Sequence, residues 1–126
     1  MTYLNSNQLK QYSDEGFVSP VNIFSKEKAK EIRDEIELIE KKLPNELEKT
    51  GRYNAHLISP MLDEVTHNEN ILNAVESLIG GNILVCGTTL FIKNPGEGGF
   101  VSYHQDAKYI GFEPHNWVTA WVAIID

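Results

Sequence analysis

The chain changes character at Gly80-Gly81. Before that pair, apolar residues recur at helical spacing. After it, the runs Ile83–Ile92, Phe100–His104 and Val118–Ile125 are rich in β-branched and aromatic residues and are set apart by turn-forming ones. Helices first and antiparallel-type strands second suggest an α+β protein in which helices buttress one face of a β-sandwich or jelly roll. A length of 126 residues allows one domain at most, with enough chain for a modest core.

Local signals place the helices. Asn5 or Ser6 can cap a first helix through Glu15, with Gly16 as its stop. Phe17-Val18 and Val21–Ile23 read as a short strand interrupted by Pro20. Ser25 is a suitable N-cap for a long helix, Lys26–Leu43, ended by Pro44. Along it Ala29, Ile32, Ile36, Ile39 and Leu43 form one apolar stripe, which predicts packing against a sheet. Residues 45–70 are less regular; Pro60 breaks them, and Met61–Val65 reads as one helical turn. Asn68 or Asn70 caps a further helix through Ile79, with Ile71, Leu72, Val75, Leu78 and Ile79 on its inner side. Beyond Ile92, residues Pro95–Gly99 form a Gly-rich turn.

Composition excludes several function classes. A net charge of −7 argues against a nucleic-acid or anionic-membrane surface, since both need clustered Lys and Arg. The lysines at 26, 28, 30, 41 and 42 alternate with glutamates, the pattern of a solvated face. Hydrophobic content of 41% is ordinary for a globular domain, and no apolar run approaches a membrane span. The first ten residues lack a secretory leader's basic and apolar regions. A single cysteine, Cys86, precludes an internal disulfide and lies in an apolar run that predicts a buried core thiol. A cytoplasmic protein is the expectation.

The chemistry concentrates in Tyr103-His104-Gln105-Asp106. In a strand, residues two apart point to the same face at a spacing of roughly 6.6–6.8 Å. His104 and Asp106 can therefore lean toward one point and share a metal ion. They supply two donors of the 2-His-1-carboxylate triad that leaves positions open on non-haem Fe(II). By the same parity Gln105 points away. Tyr109, Phe112 and Trp117 can wall the pocket from water. His67 sits beside a helix cap and reads as solvent-facing, Lys93 precedes a turn, and His115 lies in a loop, a poorer ligand position than a rigid element.

This run resembles the phytanoyl-CoA dioxygenase-like family of Fe(II)/2-oxoglutarate oxygenases. The resemblance is carried by Tyr103-His104-Gln105-Asp106-Ala107-Lys108-Tyr109, then Pro114, then Thr119-Ala120-Trp121-Val122-Ala123-Ile124. Upstream, Glu15–Val18, Leu78–Gly80 and Phe91–Gly96 follow the same order. The resemblance implies a double-stranded β-helix with iron held by His104, Asp106 and a distal histidine. It implies 2-oxoglutarate and O2 as co-substrates, succinate and CO2 as products, and hydroxylation of an unactivated C–H bond in a small organic substrate. Related halogenases look as though a small residue replaces the acid; Asp106 fills that position and favours hydroxylation. The co-substrate site carries over onto Thr89, Trp121 and Arg52, with His56 nearby.

The resemblance also sets expectations about extent. The family's distal histidine and its carboxylate clamp fall after Asp126. The 126 residues are therefore expected to be the N-terminal portion of one oxygenase domain, an incomplete jelly roll without turnover by itself and with open strand edges. The alternative reading is a non-catalytic jelly-roll module that holds a small metabolite, with His104 and Asp106 as polar anchors. A purely structural domain that packs on a partner through its open edge is the blandest alternative.

Overall fold

The computed structural model describes residues 3–44, 52–93, 96 and 98–124. Five α-helices and one 3-10 turn are present among them: α1 (Ser6–Glu15), α2 (Lys26–Lys42), the turn Ala55–Leu57, α3 (Pro60–Thr66), α4 (Glu69–Ile79) and α5 (Asp106–Ile110). Among the described residues, no helix is long and apolar enough to cross a membrane.

Helices α1, α2 and α4 form where their caps say they should. Asn5 accepts from the amides of Asn7 and Gln8, and the Gln8 side chain accepts from the Asn5 amide at 3.0 Å, a complete capping box. Ser25 caps α2 through the Lys28 amide, and Asn68 caps α4 through the amides of Asn70 and Ile71. Each such cap is worth about 1 kcal/mol. Pro60 corrects the sequence reading. It does not break the helix but starts it, standing in the first turn of α3 behind Ser59, where a missing N–H costs nothing.

The core lies where α2 meets the 3-10 turn and α3. Ile32, Ile36, Ala55 and Leu62 are buried, and Phe24, Ile39, Met61 and Val65 pack around them. Burying a side chain the size of Ile32 or Leu62 stabilises by about 1.5–3 kcal/mol relative to leaving it exposed. The α2 stripe is thus used at its centre, while Leu43 at its end is exposed. The opposite face carries ion pairs one turn apart, Arg33 to Glu37 at 2.7 Å and Lys28 to Glu31 at 3.4 Å, as the alternation of charges predicts. The N-terminal segment docks on α4: the Tyr3 amide donates to Ser77 Oγ at 3.1 Å, beside the buried Leu4.

The β-type part differs from expectation. Among the described residues, 17–23, 83–92, 100–104 and 118–124 form no regular strand, and pairing is confined to one isolated antiparallel bridge, Tyr53 opposite Thr89. Asn94, Pro95 and Glu97 of the Gly-rich turn, Ile125 of the last run and residues 45–51 lie outside the described residues. The physical reason is plain. A helix satisfies its own backbone groups, but a strand needs a partner's N–H and C=O.

That bridge is nevertheless well built. The Leu90 amide donates to the Arg52 carbonyl at 2.8 Å and the Asn54 amide to the Thr88 carbonyl at 2.7 Å, flanking the Tyr53–Thr89 pair. Asn54 adopts the left-handed region (φ 57°), which lets its side chain accept from the Thr88 amide at 3.2 Å. His56 Nδ1 meets Thr88 Oγ1 at 2.8 Å. Gly87 suits this close approach: a Cβ there would sit 2.9 Å from Asn54 Oδ1, so the Asn54 side chain would have to shift.

Two segments after α4 lie against the helical core. Leu90 and Ile124 both pack on it. Their neighbours Phe91 and Trp121 are exposed and stack on each other, ring centroids 5.1 Å apart and 24° between planes. Exposure alternates along 88–92 and 121–124, so each segment has an inner face on the helices and an outer aromatic face. Cys86 is a second correction: it is exposed, as are its neighbours Leu84 and Val85. An apolar run signals burial only where a second layer covers it.

Candidate functional site

His104 and Asp106 face each other at the start of α5. Their setting is not the strand that parity assumed: Asp106 is the first residue of a five-residue helix, and Gln105 is its N-cap. Gln105 is extended, with φ −123° and ψ 122°, so the alternation that puts residues 104 and 106 on one side holds over these three residues. His104 Nε2 lies 3.1 Å from Asp106 Oδ1, with both side chains half-exposed. Gly111, left-handed at φ 68°, closes the helix.

Each member of the pair is held from behind. His104 Nδ1 lies 2.7 Å from the Ser102 carbonyl, which can only accept, so Nδ1 carries a proton and Nε2 is the nitrogen aimed at Asp106. The Ser102 carbonyl raises the His104 pKa above its ordinary value; slight burial pulls it down, and the Asp106 carboxylate raises it further. With Nδ1 donating, the contact to Oδ1 requires a second proton on Nε2 when no metal is bound. A metal ion would take that proton's place. On the other side, the Thr119 hydroxyl donates to Asp106 Oδ2, and Trp117 Nε1 donates to Thr119 Oγ1 at 3.2 Å. The donor set, an imidazole nitrogen and a carboxylate oxygen turned toward one point, fits two positions of a divalent-metal triad. Among the described residues, no third His, Cys, Asp or Glu joins them in a metal-sized cluster.

The aromatic residues expected to wall the pair from water are largely open to it, Tyr109 and Phe112 both being exposed. The Tyr109 ring stands edge-on to His104, centroids 6.0 Å apart, and Phe112 tilts against Trp117 at 6.0 Å. Trp121 follows Thr119 by two residues, and its partner Phe91 follows Thr89 by two. Alternation therefore sets Thr89 and Trp121 on the outer face, joined through the Phe91–Trp121 stack. Arg52 is elsewhere. As the neighbour of Tyr53 in the bridge, it belongs with Leu90 on the opposite face from Thr89. Its Nε is buried without a hydrogen-bond partner among the described residues, so the guanidinium has an unused donor.

The remaining histidines sit in other surroundings. His67 pairs with Asp63 one turn earlier on α3, Nδ1 to Oδ1 3.4 Å, and His115 with Glu113 at 3.3 Å. His56 and His67 line an open cleft of about 430 Å³ with Asp63 and Leu72. Neither His104 nor Asp106 borders it.

Sequence reasoning missed α5, Ser102 and Thr119. The helix had a signal, an Asp in the first turn and a Gly after the last. Thr119 stood in the run that carries the resemblance, but nothing local tied it to Asp106, because the contact spans thirteen positions of chain.

Comparison with known proteins bears on this site. Residues 12–126 match the family described as Phytanoyl-CoA dioxygenase (PhyH). Over 72 residues, 56% of the chain, the sequence is 33% identical to "Phytanoyl-CoA dioxygenase domain-containing protein 1" of Danio rerio. That match spans 25% of the relative's length. No solved structure matches significantly.

Proposed function

The chain belongs to the phytanoyl-CoA dioxygenase family, and from that premise we propose that the protein is an Fe(II)/2-oxoglutarate-dependent oxygenase that hydroxylates a small organic substrate. The observation that carries the reading is the opposition of His104 Nε2 and Asp106 Oδ1 at 3.1 Å, each oriented by a hydrogen bond to its far atom. When bound, iron with 2-oxoglutarate supplies O2 activation: substrate, 2-oxoglutarate and O2 are converted to hydroxylated product, succinate and CO2.

The residues take distinct parts. His104 and Asp106 hold the metal. Ser102 fixes the imidazole tautomer that presents Nε2. Tyr109 flanks the imidazole edge-on. Thr89 and Trp121 line the co-substrate side. Arg52, on the face opposite Thr89, takes no part in this arrangement. In this reading the helical layer covers one face of a double-stranded β-helix to which segments 88–92 and 117–124 contribute.

The test is anaerobic. Ferrous iron and 2-oxoglutarate are added to the protein, and the visible charge-transfer band of the chelate is followed. The band is expected to develop with wild type and to vanish in His104→Ala and Asp106→Ala. A small ligand retained equally well after metal removal, with no band, would favour a non-catalytic binding module instead.

A further inference from the structure

Asp106 has no hydrogen-bonded support from within its own element. It opens a helix of five residues, and its N-cap Gln105 makes no side-chain capping bond. What orients its carboxylate comes from elsewhere in the chain. The Trp117 indole N–H can only donate, so at the 3.2 Å contact Thr119 Oγ1 is the acceptor. A threonine hydroxyl has one proton, and with Trp117 occupying a lone pair that proton is directed to Asp106 Oδ2. Oδ1 is then the oxygen left to face His104 Nε2. Every link in the series Trp117, Thr119, Asp106, His104, Ser102 has a fixed direction.

We propose that Thr119 is a positioning residue for Asp106: its hydroxyl occupies Oδ2 and so selects Oδ1 as the metal-facing oxygen, with Trp117 setting the direction of the hydroxyl. The proposal rests on the reading of His104 and Asp106 as a metal pair. It predicts that the hydroxyl at position 119 matters, while the rest of that side chain does not.

The experiment is a Co(II) titration of the protein, followed by visible absorption, on wild type and on Thr119→Val, Thr119→Ser and Trp117→Phe. Losing a hydrogen bond that orients a metal ligand typically weakens binding by about 10–100-fold. Thr119→Val is expected to fall in that range, Thr119→Ser to stay within about twofold, and Trp117→Phe to lie between them. Far-UV circular dichroism checks folding; should Thr119→Val fail to fold, Thr119→Ala and Trp117→Phe decide the matter. A second readout needs no metal: the ¹³C shift of the Asp106 carboxyl should move in Thr119→Val and return in Thr119→Ser. If Co(II) binding is abolished by His104→Ala but unchanged by Thr119→Val, this inference fails and the metal-pair reading stands. If wild type binds no Co(II), the reading fails and takes the inference with it.

Discussion

In the helical layer each element closes its own hydrogen bonds, whereas the segments that carry the candidate site are held by side chains reaching across the chain. Helices α1, α2 and α4 each begin with a side-chain cap from the preceding residue, and α2 contributes the two isoleucines at the centre of the core. Among the described residues, the 88–92 and 117–124 segments have one backbone bridge to the rest, at Thr89. Their positions rest on Leu90 and Ile124 against the core, on the Phe91–Trp121 stack, and on Thr119 reaching Asp106. Local interactions specify the scaffold, and tertiary ones specify the site. A site assembled this way can be disturbed without unfolding the helices, and the helices can be weakened without rearranging the site.

The largest expected effect lies in the core. Ile32→Ala removes most of a side chain that is 2% exposed, at the centre of the helical cluster. A loss of about 2–5 kcal/mol is expected in a denaturant melt. At low denaturant the His104–Asp106 contact, followed by side-chain NMR, should persist. Its loss there would mean that scaffold and site are one cooperative unit.

A smaller effect is expected at the bridge that joins the two regions. In Gly87→Ala the new Cβ must displace Asn54 Oδ1, which accepts from the Thr88 amide. The cost should be about 1–2 kcal/mol, the loss of one hydrogen bond and the strain of moving its partner. It should be read as faster amide exchange at Asn54 and Leu90 than in α2. Equal acceleration in α2 would show that the bridge is not a separate unit.

The smallest effect is electrostatic. The His104 pKa is raised, chiefly by the Ser102 carbonyl and further by Asp106. A raised value in the folded state means that the protonated form is favoured on folding. The stabilisation is complete below the ordinary histidine range and is lost as pH rises through the folded value. An NMR titration of the metal-free protein should show His104 titrating above its ordinary value, and Asp106→Asn should lower it only in part. Because metal and proton compete for Nε2, metal affinity should rise with pH over the same interval.

How much was legible in the sequence follows the same division. Asn5, Ser25 and Asn68 announced their helices, and Gly16 and Gly80 their ends, because a cap is a contact between near neighbours. Pro60 was misread, since the same residue stops a helix from inside and starts one from its first turn. The His104–Asp106 pairing was legible through two-residue alternation, although the element that carries Asp106 is a helix. The strands of the expected jelly roll were inferred from residue type, which cannot supply the partner a ladder requires. The same limit explains Cys86. Thr119 was invisible as a support for Asp106 because only folding brings position 119 to position 106.

What most needs testing is whether the proposed metal site lies at the His104–Asp106 pair rather than at His56 and His67. It is tested most directly by titrating Mn(II) into ¹⁵N-labelled protein and mapping paramagnetic broadening of the amide signals. Signals from Ser102 to Ala107 and at Thr119 should broaden first, and His104→Ala should remove the effect. Broadening centred on His56 and His67, or unchanged by His104→Ala, would contradict it.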